Sequence, residues 1–296
     1  MNAHLSEPGG KVRLYVEAPL AQGAMIEASE GQAHYLLHVM RARAGDRVSL
    51  FNGRDGEWLA QLTEISKRSC AFTLEHQLRP QDTSPDIWFC FAPIKKTPAD
   101  YLTQKATELG VSVLQPVMTR RTIISRVNVD RMRANAIEAA EQSDRLTVPD
   151  VREAMPLEKL LIQWPASRRI LFCDEAGEAP PIAEALASQS PPPFAGGGEL
   201  RAQRSSSGEG TFEAEPLPQS SHSVHVQIAP SRKGRGVYDS WAILTGPEGG
   251  FDPAERDAIR GKPFVTAVSL GPRILRADTA ALASLAVWQA LAGDWR

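Results

Sequence analysis

Cysteine is scarce in this chain: three in 296 residues, Cys70, Cys90 and Cys173, none at a paired spacing. That excludes a disulfide framework and a cysteine-rich zinc site. No apolar run is long enough to span a membrane, and the opening MNAHLSEPGGKVRLYVE lacks the apolar centre of a secretory signal. A soluble, cytoplasmic protein without a membrane partner is expected. Charge of one sign is not in excess either, since 33 Lys and Arg face 35 Asp and Glu for a net charge of −2. Any contact with a polyanion must therefore come from a local patch. The phosphate-binding patterns GxxxxGK[ST] and GxGxxG are also missing. His34 and His38 have the spacing of helical metal ligands, but no third ligand stands near them, so packing or surface roles are expected and no metal is called for.

What is present is punctuation. The length suits two domains at roughly 100 to 200 residues each. Up to about residue 84 the chain reads as short strands and turns. VSLFNG, EWLAQLTEI and CAFTLEHQL are strand-like, with Asn52-Gly53 and Asp55-Gly56 as turn signals. GQAHYLLHVMR before them reads as a short helix, closed by Gly45. From 85 onward strands alternate with helices. DIWFCFAPI, VSVLQPVMT, RRILFCDEA, WAILTGPEGG and PFVTAVSLG are the strands. The helices are expected near 97–110 (capped by Thr97), over 130–145, from Asp252 with a Pro253 and Glu255 capping box, and over 279–291. Such alternation predicts an α/β domain with a largely parallel sheet covered on both faces, whose ligands bind at the carboxyl ends of the strands. Residues 190–236 are rich in Pro, Gly and Ser. They read as a probable disordered insertion, VHVQI excepted as a possible edge strand, because such a composition cannot offset its ordering entropy.

Two glycine turns stand at expected strand ends, LTGPEGG at 244–250 and LGPRILRADTAALA at 270–283, and CDEAGE at 173–178 stands at another. A glycine after a strand lets backbone approach a ligand, and the following helix start offers free N–H groups. Phosphate is the commonest guest, but Glu248 would repel it. A ligand with a carboxylate, an amino group and an adenine fits better.

These turns, with KK at 95–96, QKATELGV at 104–111, the Arg120-Arg121 pair, EAAEQSDR at 138–145 and Pro149, strongly resemble the signature of the 16S rRNA uridine-N3 methyltransferases (the RsmE family, of the SPOUT class). HYLLHVMRARAGDRVSLFNG looks like the PUA-like β-barrel of that family. Asp278 departs from the pattern, where Glu is more usual before Thr-Ala. The resemblance implies a PUA-like barrel over 1–84 and a SPOUT domain over 85–296 tied in a deep trefoil knot. It also implies a homodimer in which each site is completed by the partner subunit, S-adenosyl-L-methionine as cofactor, and 16S rRNA of the small ribosomal subunit as substrate.

On that footing Gly246, Gly249, Gly250 and Gly271 would let backbone approach the cofactor. Leu244, Thr245, Leu270, Ile274 and Leu275 would line its adenine and ribose, with Leu244 and Leu275 equally readable as core. Glu248 would face its amino group or cap the next helix. Arg13, Arg41, Arg43 and Arg47 in the barrel, and Lys95, Lys96, Arg120, Arg121 and Arg126 beside strand ends, are candidate phosphate contacts. Glu138, Gln142 and Arg145 are expected on one helix face in a structural or RNA-facing role, with a Glu141–Arg145 pair as the plainer alternative. Arg273 and Arg276 are candidates for stabilising charge on O2 or O4 as N3 loses its proton; no base is identified. Two other readings stay open, a non-catalytic RNA-binding or assembly factor with the same fold and an α/β enzyme using the turns for a nucleotide.

Overall fold

The computed structural model describes residues 12–66, 68–175, 178–188 and 240–295, the side chains of 96–98 excepted. Segment 190–236, with VHVQI, lies outside the described residues.

Five strands form the first sheet: β1 (Arg13–Tyr15), β2 (Met25–Glu27), β3 (Arg47–Phe51), β4 (Glu57–Ile65) and β5 (Cys70–Arg79), in the order β1-β3-β4-β5-β2. β1 runs parallel to β3 and the remaining pairs are antiparallel. Alternation sends Val48, Leu50, Leu62, Phe72 and Leu74 into one core with Leu36. The Asn52 turn forms as expected. Its side-chain oxygen accepts from the Arg54 and Asp55 N–H groups at 3.0 and 2.9 Å, and Gly53 takes φ +81, which suits glycine. The preceding helix differs from expectation. α1 (Glu30–His34) opens on a Ser29–Gln32 capping box and then widens into a π-helical stretch, Tyr35–Val39. A wider turn shifts side chains off the 3.6 period on which the expectation rested.

The second unit contains β6 (Ile87–Phe91), α2 (Lys96–Glu108), β7 (Val113–Met118), α3 (Val129–Gln142), β8 (Asp150–Val151), β9 (Met155–Pro156) and α4 (Leu157–Ile162). These are followed by β10 (Arg169–Cys173), α5 (Ile182–Ala187), β11 (Trp241–Thr245), α6 (Pro253–Arg260), β12 (Val265–Val268) and α7 (Ala277–Leu291). The strands are parallel, in the order β12-β10-β11-β6-β7-β8, with β9 on β7. Both faces are covered. Phe89 and Phe91 of β6 and Ile243 of β11 meet Leu102, Ala136, Leu285 and Trp288 on one side. Cys90, Ala242 and Leu244 meet Leu160, Trp164, Phe172 and Ile259 on the other. β11 enters between β6 and β10, so four loops converge at the carboxyl edge of adjacent strands. α6 starts as expected, with the Asp252 side chain accepting from Ala254 N–H and Glu255 closing the box. α2 begins at Lys96, with Lys95 in the cap position and no side-chain cap, two residues ahead of the expected Thr97 cap. The six-residue helices α4 and α5 were not anticipated, being too short for a periodic signal.

The helix expected to run to 145 stops at Gln142, because Asp144 takes φ +58 and turns the chain. Arg145 consequently leaves the Glu138–Gln142 face and turns inward. It donates to the carbonyls of Thr107 and Val111 and to the Thr147 hydroxyl, and burial pushes its guanidinium down to about 10. Glu141 does not pair with it but accepts from Tyr15 N–H at 2.9 Å. This is the joint between the two units. Phe51 of β3 packs on Ala140 and Leu146. Arg13 of β1, 9% exposed at its side chain, pairs with Glu57 at 2.6 Å. It also donates to the carbonyls of Ala140, Glu141 and Arg145 at 3.0, 3.0 and 2.7 Å. A cation at the carbonyl end of α3 complements both its dipole and its unpaired acceptors. The proposal of Arg13 as an RNA contact is therefore corrected: its donors are spent inside the protein.

Candidate active site

At the carboxyl edge of β6, β10, β11 and β12 lies a cavity of about 940 Å³, near the upper end of the range for small-molecule sites. Both glycine turns wall it. The first contributes Thr245, Gly246, Glu248 and Gly250, and the second contributes Leu270, Gly271, Arg273, Ile274, Leu275 and Arg276. Cys173, Asp174 and Glu175 close a third side from the end of β10, while Lys95, Ile123 and Ile124 approach from the β6 and β7 ends. The Lys95 prediction thus changes place, since this cation stands in the cavity wall.

Two predicted lining residues are elsewhere. Leu244 is fully buried among Phe172 and Phe251, because alternation along β11 sends it to the face opposite Ile243. Gly249 does not line the cavity. A Cβ there would meet only Arg121 atoms at 3.8 Å, in ordinary contact, and its φ is unremarkable. The demanding glycine is its neighbour. Gly250 takes φ +66, and a Cβ on it would collide with the Glu175 carboxylate. Gly246 is needed for packing, since its Cβ would come 2.7 Å from the Phe251 ring, and Gly271 holds φ +106.

Electrostatics divide the walls. Asp174 is buried between Arg256 and Arg260, at 2.9 and 2.6 Å, which ties α6 to the end of β10. Glu175 and Glu248 are exposed on the lining, and Arg273 and Arg276, also exposed, line it from the second turn. Glu248 does not cap α6, a task that Asp252 performs. Cys173 is a wall and not a nucleophile: burial pushes its thiol up to about 12. The turn after β7 holds the first glycine turn. Arg120 pairs with Asp252 at 3.0 Å, and Arg121 donates to the Gly249 carbonyl at 2.9 Å. The sequence pattern makes both candidate phosphate contacts, but in the structure each of them bonds to the protein. In the barrel, Arg41 and Arg43 are exposed and Arg47 is bound to Glu75 at 3.1 Å. The Lys96 side chain lies outside the described residues. Sequence reasoning missed Ile94, Ile123, Ile124 and Pro181, which carry no motif; CDEAGE was noticed only as a strand end.

The sequence matches the family model described as RNA methyltransferase domain over residues 82–195 and 221–289, more than half of the chain. It matches the RNA methyltransferase PUA domain over residues 29–75. The interval between the two matched stretches falls within the Pro-, Gly- and Ser-rich segment. The chain is 29% identical over 275 residues to the ribosomal RNA small subunit methyltransferase E of Rickettsia conorii, covering 93% of each. To the protein of the same name from Bacillus subtilis it is 26% identical over 261 residues, covering 86% of this chain and 85% of that one. Among solved structures, the ribosomal RNA small subunit methyltransferase E of Neisseria gonorrhoeae bound to S-adenosyl methionine superposes with a TM-score of 0.70. That match covers 96% of this chain and 99% of the other at 24% identity, a likeness of fold.

Proposed function

The chain belongs to the RNA methyltransferase family, and from that premise we infer that it is an S-adenosyl-L-methionine-dependent methyltransferase acting on the RNA of the small ribosomal subunit. The observation that carries this reading is the single cavity walled by both glycine turns at the carboxyl edge of the sheet. The residues fit the cofactor. Leu270, Ile274 and Leu275 supply an apolar wall for an adenine, the backbone of both turns supplies donors and acceptors, and Glu248 and Glu175 suit an ammonium group. When bound, the cofactor supplies an electrophilic methyl group.

The finer reading is methylation at N3 of a uridine in 16S rRNA. That nitrogen carries a proton and becomes a nucleophile as the proton leaves, which places negative charge on O2 and O4. Arg273 and Arg276 on the cavity wall are positioned to stabilise that charge. The volume has room for a nucleobase beside the cofactor. RNA would be gripped by Arg41, Arg43 and Arg47 of an N-terminal unit ending near residue 84, with the catalytic unit following.

A deep trefoil knot in this unit belongs to the same proposal, and the position of β11 between β6 and β10 is compatible with it. Ile123, an isoleucine 82% exposed at the cavity and outside the apolar wall assigned to the adenine, supports a homodimer in which a second copy covers it. A cytoplasmic location accords with a ribosomal substrate. The test is transfer of tritiated methyl from S-adenosyl-L-methionine to small subunits lacking the modification, followed by nucleoside mass spectrometry. A 3-methyluridine product is expected; RNA binding without transfer would instead establish a non-catalytic factor.

A further inference from the structure

The turn that follows β7 has the composition of an RNA contact, TRRTIISR, but the first two of its three arginines, Arg120 and Arg121, reach the first glycine turn and the start of α6. Thr119 and Thr122 tie the turn together. Their hydroxyls lie 2.9 Å apart, and Thr122 N–H donates to the Thr119 carbonyl at 3.1 Å. From this base the Arg120 backbone N–H donates to Glu255 Oε1 at 2.9 Å and its guanidinium reaches Asp252 Oδ1 at 3.0 Å. The Arg121 guanidinium donates to the Gly249 carbonyl at 2.9 Å. Glu255 and Asp252 are the capping box of α6, so the contacts grip both ends of the segment 249–255. Ile123 and Ile124, the next two residues of the same turn, are part of the cavity wall.

The need for such a grip follows from composition. Three of the five residues from 246 to 250 are glycine, the residue that loses most conformational freedom on ordering. A binding loop of this kind needs outside contacts to hold one shape, because disorder in the free protein lowers the apparent affinity by the fraction of competent molecules.

We propose that Arg120 and Arg121 are positioning residues for the methyl-donor site: they hold the 246–252 turn in its binding shape through the Gly249 carbonyl and the α6 cap, and are not phosphate contacts. This rests on the reading of the cavity as the S-adenosyl-L-methionine site. Arg121 contributes a charged donor to one carbonyl, which Lys can also supply, whereas Met preserves only the apolar stem.

The experiment uses the full-length protein and its Arg121→Met, Arg121→Lys and Arg120→Met variants. S-adenosyl-L-methionine binding is measured by calorimetry well below the melting temperature, and the KM for undermethylated small subunits is measured at several salt concentrations. Arg121→Met is expected to bind the cofactor roughly 10-fold more weakly. Arg121→Lys should recover most of that loss, with the KM for subunits and its salt dependence unchanged in all variants. A raised KM with a flatter salt dependence and an unaltered cofactor Kd would make these residues phosphate contacts and overturn the proposal. A lowered melting temperature with both constants unchanged would overturn it as well, leaving a purely structural role. A wild-type protein that takes up no S-adenosyl-L-methionine would overturn the functional reading and this proposal together; wild-type uptake with variant affinities equal to it would overturn this proposal alone.

Discussion

The joint under α3 and the rim of the cavity draw on the same residue types and use them in opposite ways. At the joint, Arg13 spends its donors on Glu57 and three carbonyls, and Arg145 on two carbonyls and a hydroxyl. At the rim, Arg273 and Arg276 stand on an exposed turn beside Ile274, which is 92% exposed. A buried arginine whose guanidinium is bonded to carbonyls holds architecture. One left wet on the wall of a cavity is available for chemistry. The difference is made by burial and by the carbonyls within reach, not by the residue. Glycines divide in the same way between Gly249 and Gly250, neighbours of which only the second has a left-handed φ and a carboxylate in the path of a Cβ.

The sharpest way to break this contrast is at the two glycines. Gly250→Val should weaken S-adenosyl-L-methionine binding by roughly 10- to 100-fold, since a β-branched residue resists φ +66 and distorts the turn, whereas the exposed Glu175 carboxylate can swing aside. Gly249→Ala should bind like wild type. Calorimetry on both, with circular dichroism to check folding, decides it; equal affinities would erase the distinction.

At the joint, Arg13→Met should cost roughly 2 kcal/mol of stability, because it leaves three carbonyls at the end of α3 without their donor and Glu57 with Arg79 as its remaining cation. Thermal unfolding measures this. Turnover of the folded fraction at low temperature should be preserved, and a variant of normal stability that binds RNA poorly would return Arg13 to the RNA surface. At the rim the pattern inverts. Arg273→Ala and Arg276→Ala should each change stability by less than about 0.5 kcal/mol while lowering kcat by about 100-fold if the guanidinium stabilises the reacting base. Single-turnover methyl transfer is the readout.

The smallest expected effect concerns Glu141. Burial raises its carboxyl above the usual range despite the hydrogen bond from Tyr15 N–H. A carboxyl held higher in the folded chain than in the unfolded one binds its proton more tightly when folded. Its contribution therefore favours folding at low pH and is lost as pH rises from the ordinary Glu value through the folded one. Glu141→Gln keeps the acceptor for Tyr15 without the buried charge. It should raise Tm at neutral pH by on the order of 1 °C and lose that advantage near about pH 4. A fall in Tm at neutral pH would show that the ionised form is stabilised at the joint.

The sequence by itself determined the α/β plan, the positions of the longer strands, the α6 capping box and the two glycine turns that end up walling one cavity. Each of these depends on local chemistry: side-chain period along a strand, a carboxylate that accepts from a helix start, a glycine where backbone must bend. The two- and three-residue strands β1, β2, β8 and β9 were too short to show a period. The motif EAAEQSDR was legible as a pattern but not as a joint, because the partners of Ala140, Glu141 and Arg145 lie far along the chain in β1 and β3 or in the loop after α2, outside any local period. Nor could spacing reveal that Leu244 faces the core while Thr245 faces the cavity, that Asp144 ends α3 three residues early, or that Arg120 and Arg121 grip the glycine turn. Those outcomes were decided by tertiary structure. The strand order brings distant loops to one edge, and which donors remain for a ligand depends on which carbonyls and carboxylates folding has already placed within about 3 Å of them.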